Sequence, residues 1–367
     1  MADRGWKLER LPAASPRAAV LVPLVSILLA LVVGGLIILL AGQNPFAVYG
    51  AMVQGAVGSK NGLAETLVKM TPLLLTGLGV AVAFKMQLWN IGGEGQLYLG
   101  AIFATWVALY GMPGASGWVM VPAMIVGGLI GGAIWGLIPG ALRAYLGANE
   151  TITTLMLNYV AILFAEWLVH GPWKDPAAFG FPGTPQFPEA AWLPNWGTTR
   201  VHLGLLFGVA AAGILWIMMR RTRWGYEIGI MGESARAARY AGMPTRRTIL
   251  LVMALSGALC GLAGMSEVAG IPHQLQRNLS PGYGYTAIIV AWVGRLHPAG
   301  IIAVAFFLAA LLVGGDQIQM SMGLPAAIAP MLQGIILFFL LGGEMFTRYR
   351  IVRTGAPLPV ATESAGD

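Results

Sequence analysis

An all-α membrane protein of about ten transmembrane helices is the fold class predicted here, and three observations predict it. The 367 residues are 57% hydrophobic and only 10% charged, whereas soluble domains keep roughly a quarter of their residues charged. Apolar runs long enough for ~30 Å of hydrocarbon recur from end to end. Lysine and arginine collect on alternate connections between those runs, as the positive-inside rule requires. A mean hydropathy of +0.73 places the chain in lipid, so spans are counted here rather than domains.

The first run, 18–41, is too long for the ~7–15 residue core of a signal peptide and lacks a convincing cleavage site, so it is a retained helix. The second, 63–84, carries Glu65 and Lys69 at i, i+4 in the favourable order, which predicts a structural ion pair near the outer surface. The third, 88–110, contains Asn90-Ile91-Gly92-Gly93-Glu94-Gly95-Gln96, where a helix break would turn backbone amides toward a cavity. A glycine-rich fourth run, 118–142, follows. Asn149 and Glu150 open the fifth, 151–169, along which Thr154 and Asn158 share a face. The sixth is 201–219. The seventh, 248–270, holds the single cysteine, Cys260, as a small packing residue. The eighth and ninth, 285–293 and 300–314, are short, and are expected to be interrupted, tilted or completed by neighbouring polar stretches. The tenth, 325–341, carries a midspan amide, Gln333.

With the N-terminus inside, seventeen of the twenty-two lysines and arginines fall on cytoplasmic segments, four fall outside, and Lys69 remains in a span. Both termini are therefore expected in the cytoplasm. The formal charge of +7 is topological, not a nucleic-acid surface. The organisation is a cytoplasmic tail, 1–17, a transmembrane domain, 18–344, and a cytoplasmic tail, 345–367. Within the domain, loop 171–200 lies outside and holds six prolines with Trp173, Trp192 and Trp196, a stiff cap or a headgroup-level aromatic belt. Loop 220–247 lies inside and contains a short helix, with Ser234 as its cap, Ala235–Ala241 as its body, Gly242 at the left-handed C′ position and Pro244 as its stop.

No energy-coupling chemistry is legible. None of the five lysines follows a glycine, so the GK[ST] ending of a phosphate-cradling loop is missing. The four histidines do not cluster with cysteine or acidic residues at ligand spacing, and no metal site is expected. What remains is polar chemistry inside spans. Asn90, Glu94, Gln96, Asn149, Glu150, Thr154, Asn158 and Gln333 are either interhelical glue or the lining of a pathway for an uncharged, hydroxyl-rich solute. Glu267, Asp316, Gln317 and Gln319 lie toward the outer ends of their spans as wet residues of a vestibule.

The chain also resembles itself. Gly93–Gln96 opens the third span much as Gly282–Tyr285 opens the eighth, and Asn158 of the fifth has a counterpart in Gln333 of the tenth. Five spans separate the copies, an odd number, so the two units face opposite ways, as in transporters built from inverted repeats with broken helices. Shared glycine-rich composition is the plainer explanation. A secondary active transporter of a small polar solute and a passive channel both remain open on these features.

The stretches NIGGEGQLYLG (90–100), GANETITTLMLNY (147–159), GYEIGIMGESARAARYAG (225–242) and GYGYTAIIVAWVG (282–294) resemble the permease subunits of bacterial ABC importers in the branched-chain amino acid and simple sugar group. They are most similar to the nucleoside-type permeases of that group. The resemblance implies a type II importer fold, a paralogous second permease, a separate cytoplasmic ATPase carrying ATP and Mg, and a periplasmic or lipid-anchored solute-binding protein. No cofactor and no enzymatic activity is implied for this chain. It also implies an ATPase-coupling helix at Glu233, Ser234, Arg236, Arg239, Tyr240 and Gly242, and a multi-pass location in the bacterial inner membrane. Two departures stand out: Thr151, where valine is expected, and the bulky Trp292, in a segment usually lined by smaller residues.

Overall fold

The computed structural model describes residues 6–10, 16–177, 181–325 and 327–353. In chain order these form β1 (Trp6–Arg10), α1 (Pro16–Leu40), α2 (Pro45–Val57), α3 (Lys60–Lys85) and α4 (Gly93–Trp106), which a π-helical turn at Val107–Gly111 prolongs. Then come α5 (Gly117–Leu146), α6 (Glu150–His170), α7 (Gly204–Arg221), α8 (Arg223–Glu233) and α9 (Ala235–Tyr240). The chain continues through α10 (Thr245–Gly270), α11 (Tyr283–Val293), α12 (Pro298–Met322), α13 (Ile328–Arg348) and β2 (Tyr349–Arg353).

Among the described residues, six helices, α3, α5, α6, α7, α10 and α12, are long and apolar enough to cross a membrane, and α1 with α2 supplies a seventh if the bent pair is one span. The expected count of about ten transmembrane helices is not reached by length and composition among the described residues, and the bounds change at specific places. The third span does not start at Leu88: the chain turns through Gln87 at φ 57°, and helix begins only at Gly93, leaving α4 with 14 residues. The ninth is not short. It runs on as helix through Asp316, Gln317 and Gln319 for 25 residues, until Gly323 at φ 65° ends it. Lys69 pairs with Asp316 there, which offsets the carboxylate that closes the apolar window. Helix α2 was not anticipated, although Asn44 before Pro45 marks its start, the Asn44 Oδ1 accepting from Phe46 N–H at 2.9 Å.

The chain divides into two compact units, residues 1–47 with 330–367, and residues 48–329. In the first, α1 and α13 approach closely enough that a Cβ on Gly343 would strike Ser26 and Val22. Strands β1 and β2 pair antiparallel, from Trp6 opposite Arg353 to Arg10 opposite Tyr349. That ladder joins the two predicted tails and departs from an all-α chain. Residues 1–5, 11–15 and 354–367 of those tails lie outside the described residues.

In the second unit the helices sort by burial. The most apolar window of α3 is 89% buried and that of α10 67%, against 28% for α7. So α3 and α10 form the interior, while α5, α6, α7 and α12 present lipid-facing flanks such as Ile134, Leu163 and Ile214. Lipid is as apolar as leucine, so close backbone packing replaces the hydrophobic effect as the force between spans. Gly128, Gly132 and Gly136 of α5 face Gly257 and Gly261 of α10 at four-residue spacing, and a Cβ on Gly132 would meet the Gly257 carbonyl and the Gly261 backbone. Gly132→Val is therefore expected to cost about 1–3 kcal/mol from overpacking, read as a lower unfolding midpoint in detergent. Gly213→Val, at an open and exposed position of α7, is expected to leave it unchanged.

Candidate functional site

Two short helices end inside the bundle, and the polar residues of the second unit gather where they end. Helix α4 begins at Gly93 after a non-helical approach, and α11 begins at Tyr283 after Gly282 at φ 97°. Their N-termini meet, since a Cβ on Gly284 would strike the backbone of Gly93 and Glu94. Each helix start leaves amide hydrogens without intrahelical acceptors, and buried in hydrocarbon each of these would cost several kcal/mol. Side chains from other helices accept them instead.

Helix α6 serves α4. Its residues Glu150, Thr154 and Asn158 lie four apart on one face. Trp89 N–H reaches the Glu150 Oε1 at 3.5 Å, Ile91 N–H donates to Thr154 Oγ1 at 3.2 Å, and Gly95 N–H donates to Asn158 Oδ1 at 2.8 Å. The Asn158 amide in turn donates to the Ile91 carbonyl at 2.9 Å. Within the approach segment, Asn90 Nδ2 donates to Gln96 Oε1 at 3.0 Å and to Ser256 Oγ of α10 at 2.8 Å, while its Oδ1 accepts from Gly92 N–H at 3.0 Å. Asn90, Glu94, Gln96, Thr154 and Asn158 are all buried.

Helix α4 serves α11. The Glu94 carboxylate accepts from Gly284 N–H at 2.7 Å, and Ser280 Oγ accepts from Gly282 and Tyr283 N–H at 3.1 and 2.9 Å. Three successive amides are thus satisfied, one of them by a residue 190 positions away in sequence. Glu94 sits in the first turn of α4 as well, so one carboxyl group faces the positive ends of two helix dipoles.

The other expected residues lie elsewhere. Asn149 is exposed and caps α6, accepting from Thr151 and Ile152 N–H at 3.0 and 3.3 Å. Glu150 also pairs with Arg143 at 3.2 Å across the α5–α6 turn. Gln333 is buried in the other unit. Trp292 does not crowd the junction. Its ring packs on Phe84 and Trp89 at centroid distances of 6.0 and 5.7 Å, toward the far end of α11. Cys260 is buried and unoxidised on α10. Glu65 and Lys69 do not pair with each other as expected. Glu65 pairs with Arg200 at 2.9 Å and Lys69 with Asp316, because tertiary partners with larger reach outcompete a worth of a few tenths of a kcal/mol for the local pair. Sequence reasoning missed Ser256, a polar residue within a Gly- and Ala-rich run, and Ser280, which precedes Pro281 and Gly282 at a turn.

Helix α9 follows α8 in the long loop. Ser234 Oγ accepts from Ala237 N–H at 3.2 Å, and Gly242 lies at φ 69°. Glu233, Arg236, Arg239 and Tyr240 are exposed, Tyr240 to 95%. A glycine is needed at 232, where a Cβ would strike the Lys85 carbonyl at the end of α3.

Loop 171–203 is fastened to the segment leading into α11. Thr184 N–H donates to the Leu275 carbonyl at 2.9 Å, Phe187 N–H to that of His273 at 2.7 Å, and Leu193 N–H to that of Ala269 at 2.9 Å. The Trp192 ring stacks on His273 at 4.1 Å. Residues 178–180 of the loop lie outside the described residues. His202 is 1% exposed. Burial, with His273 nearby, pushes its imidazole down to about 4. The neutral ring is the folded form and the unfolded chain takes up a proton below about 6.5. Stability is therefore full above that pH and is lost as pH falls toward 4, by about 2 kcal/mol at pH 5. A lower thermal midpoint at pH 5 than at pH 7.5, with the difference reduced in His202→Gln, is the expected result.

Opposed short helices held by buried polar caps within a bundle of apolar spans are the arrangement of a multi-pass membrane protein. Residues 62–341 match the branched-chain amino acid transport system / permease component family, and the chain belongs to that family. It is 37% identical over 341 residues to the glucose ABC transporter permease protein of Haloferax volcanii, covering 90% of this chain and 89% of that protein. It is 34% identical to the nucleoside ABC transporter permease protein of Lactococcus lactis subsp. cremoris over 88% of this chain and 90% of that one. The guanosine ABC transporter permease protein of Bacillus subtilis is 32% identical over 87% of this chain and 92% of its own length. The chain is an ABC importer permease, which removes the secondary-transporter alternative.

Proposed function

We propose that this permease carries nucleosides or a simple sugar from outside into the cytoplasm, through a pathway whose gate is the α4–α11 junction. The supporting observation is the junction itself: buried, rich in neutral amides and hydroxyls, and formed by two helix starts. Hydrogen bonds worth ~0.5–1.5 kcal/mol net can be exchanged with a hydroxylated solute and released again. In the conformation described they close on each other, so Asn90, Glu94, Gln96, Glu150, Thr154 and Asn158 act as pathway residues by opening. Named relatives that carry glucose, nucleosides and guanosine supply the substrate class.

In this reading the permease works with a paralogous second permease, an extracytoplasmic solute-binding protein and a separate ATPase that binds ATP and Mg. The architecture is a type II importer fold of inverted repeats, with α4 and α11 as counterparts. Helix α9 docks on the ATPase, both termini are cytoplasmic, and the membrane is the inner membrane. The test is vanadate-sensitive uptake by the full complex. Competition by nucleosides but not by glucose establishes the nucleoside, the reverse establishes the sugar, and gradient-driven uptake indifferent to vanadate overturns the proposal.

A further inference from the structure

A cavity of about 570 Å³ opens between α2, the start of α3 and the end of α12. Its volume lies within the ~300–1,000 Å³ of small-molecule sites. Gln54, Ser59, Asn61 and Gln317 line it as neutral hydrogen-bonding groups, and Glu65, Lys69 and Asp316 as charged ones. Glu65 is tied to Arg200, which follows the proline-rich loop, so the cavity shares the end of the bundle on which that loop lies. No aromatic side chain lines it among the described residues.

The ion pair in this cavity is exchangeable. The side chains of Lys69 and Asp316 are 24% and 51% exposed, and pairs this wet contribute little to stability. Behind it, on α10, the Oε2 of Glu267 is buried without a hydrogen-bond partner and within electrostatic reach of Lys69. Asp316, the more exposed partner, can leave Lys69 and turn its carboxylate to a solute in the cavity.

From this arrangement we infer that the cavity is a loading site for vicinal hydroxyls, in which Asp316 accepts from two adjacent hydroxyls of a sugar or ribosyl ring, Lys69 donates to a third, and the amides of Asn61 and Gln317 donate to or accept from the rest. Charge-assisted hydrogen bonds of this kind hold a neutral polyol without needing a counter-charge on it. With no aromatic surface to stack on, the site reads the sugar and ignores the base. The inference rests on the import proposal for its solute, although it assigns a separate set of residues.

The test uses cysteine protection. Cys260 is the single native cysteine, so Gln317→Cys and Asn61→Cys are each made in a Cys260→Ser chain, in the full complex in intact cells, with Thr198→Cys in the exposed loop as the reference. Modification by a membrane-impermeant thiol reagent is timed with ribose, glucose, guanosine or adenine present. Ribose at about 10 mM is expected to slow Gln317→Cys by about threefold, as for a Kd of about 5 mM, and guanosine at about 1 mM by a smaller factor, with adenine and the Thr198→Cys reference showing no effect. Adding Asp316→Asn should abolish the protection. If none of the sugars or nucleosides protects either position while the complex still imports one of them, the loading site is overturned and the import proposal stands. Protection without import of any of them upholds the site and overturns the import proposal. Protection by adenine alone overturns the assignment to hydroxyls.

Discussion

Asn158→Leu is expected to lower the thermal midpoint of the purified complex more than any other single change on α6, and to slow uptake with it. The residue accepts from Gly95 N–H and donates to the Ile91 carbonyl, so leucine strands one donor and one acceptor in a buried site. Each stranded group costs about 1–3 kcal/mol, for a combined loss of about 2–6 kcal/mol. No water is at hand in hydrocarbon to replace either partner. Thr154→Val provides the scale. It strands only Ile91 N–H, and its loss should be about 1–3 kcal/mol. Glu94→Gln keeps an acceptor for Gly284 N–H but replaces one of the carboxyl oxygens, which also meet the Ser280 side chain, with a donor, so its effect should not exceed that of Thr154→Val. Equal midpoints for Asn158→Leu and the parent would show that the start of α4 does not depend on α6, and the gate assigned to this junction would lose its basis.

Much of this junction was legible before any coordinates, but not its connectivity. Four-residue spacing places Glu150, Thr154 and Asn158 on one face, and the glycines around Glu94 announce a break. Neither feature says which amides the side chains meet, because the partners lie about 60 and 190 residues away, and spacing rules reach only one or two turns. The same limit explains Glu65 and Lys69. Their local geometry allows a pair, yet Arg200 and Asp316 take them through tertiary proximity. Hydropathy also misplaces the start of the third run, where apolar residues from Leu88 precede the point at which α4 can begin. Local signals performed better where the structure is local: the cap at Ser234 and the left-handed residue at Gly242 both follow from a nine-residue stretch.

The coupling proposal carries the second large effect, and prolines three residues apart test it. Ala238 N–H donates to the Ser234 carbonyl at 3.1 Å, so Ala238→Pro removes an intrahelical bond and drives its ring into the preceding turn, at about 3 kcal/mol or more. That is roughly a hundredfold loss of the helical form for so short a segment, and uptake is expected to fall by at least about tenfold. Ala235 is the first helical residue, just after the Ser234 cap, where proline is tolerated because its amide needs no intrahelical acceptor. Ala235→Pro should therefore transport nearly as well as the parent. Ala238 is buried, so a packing defect could imitate a docking defect. Arg236→Ala with Arg239→Ala separates the two, since both side chains are exposed and contribute little to the fold. Loss of ATPase co-purification in the arginine variant, with membrane insertion and thermal midpoint unchanged, is the result that assigns α9 to the ATPase. Full uptake in Ala238→Pro would place the contact elsewhere on the cytoplasmic face. The α8 residues Arg223 and Glu227, which form an i, i+4 pair at 3.0 Å, would then be the next to replace.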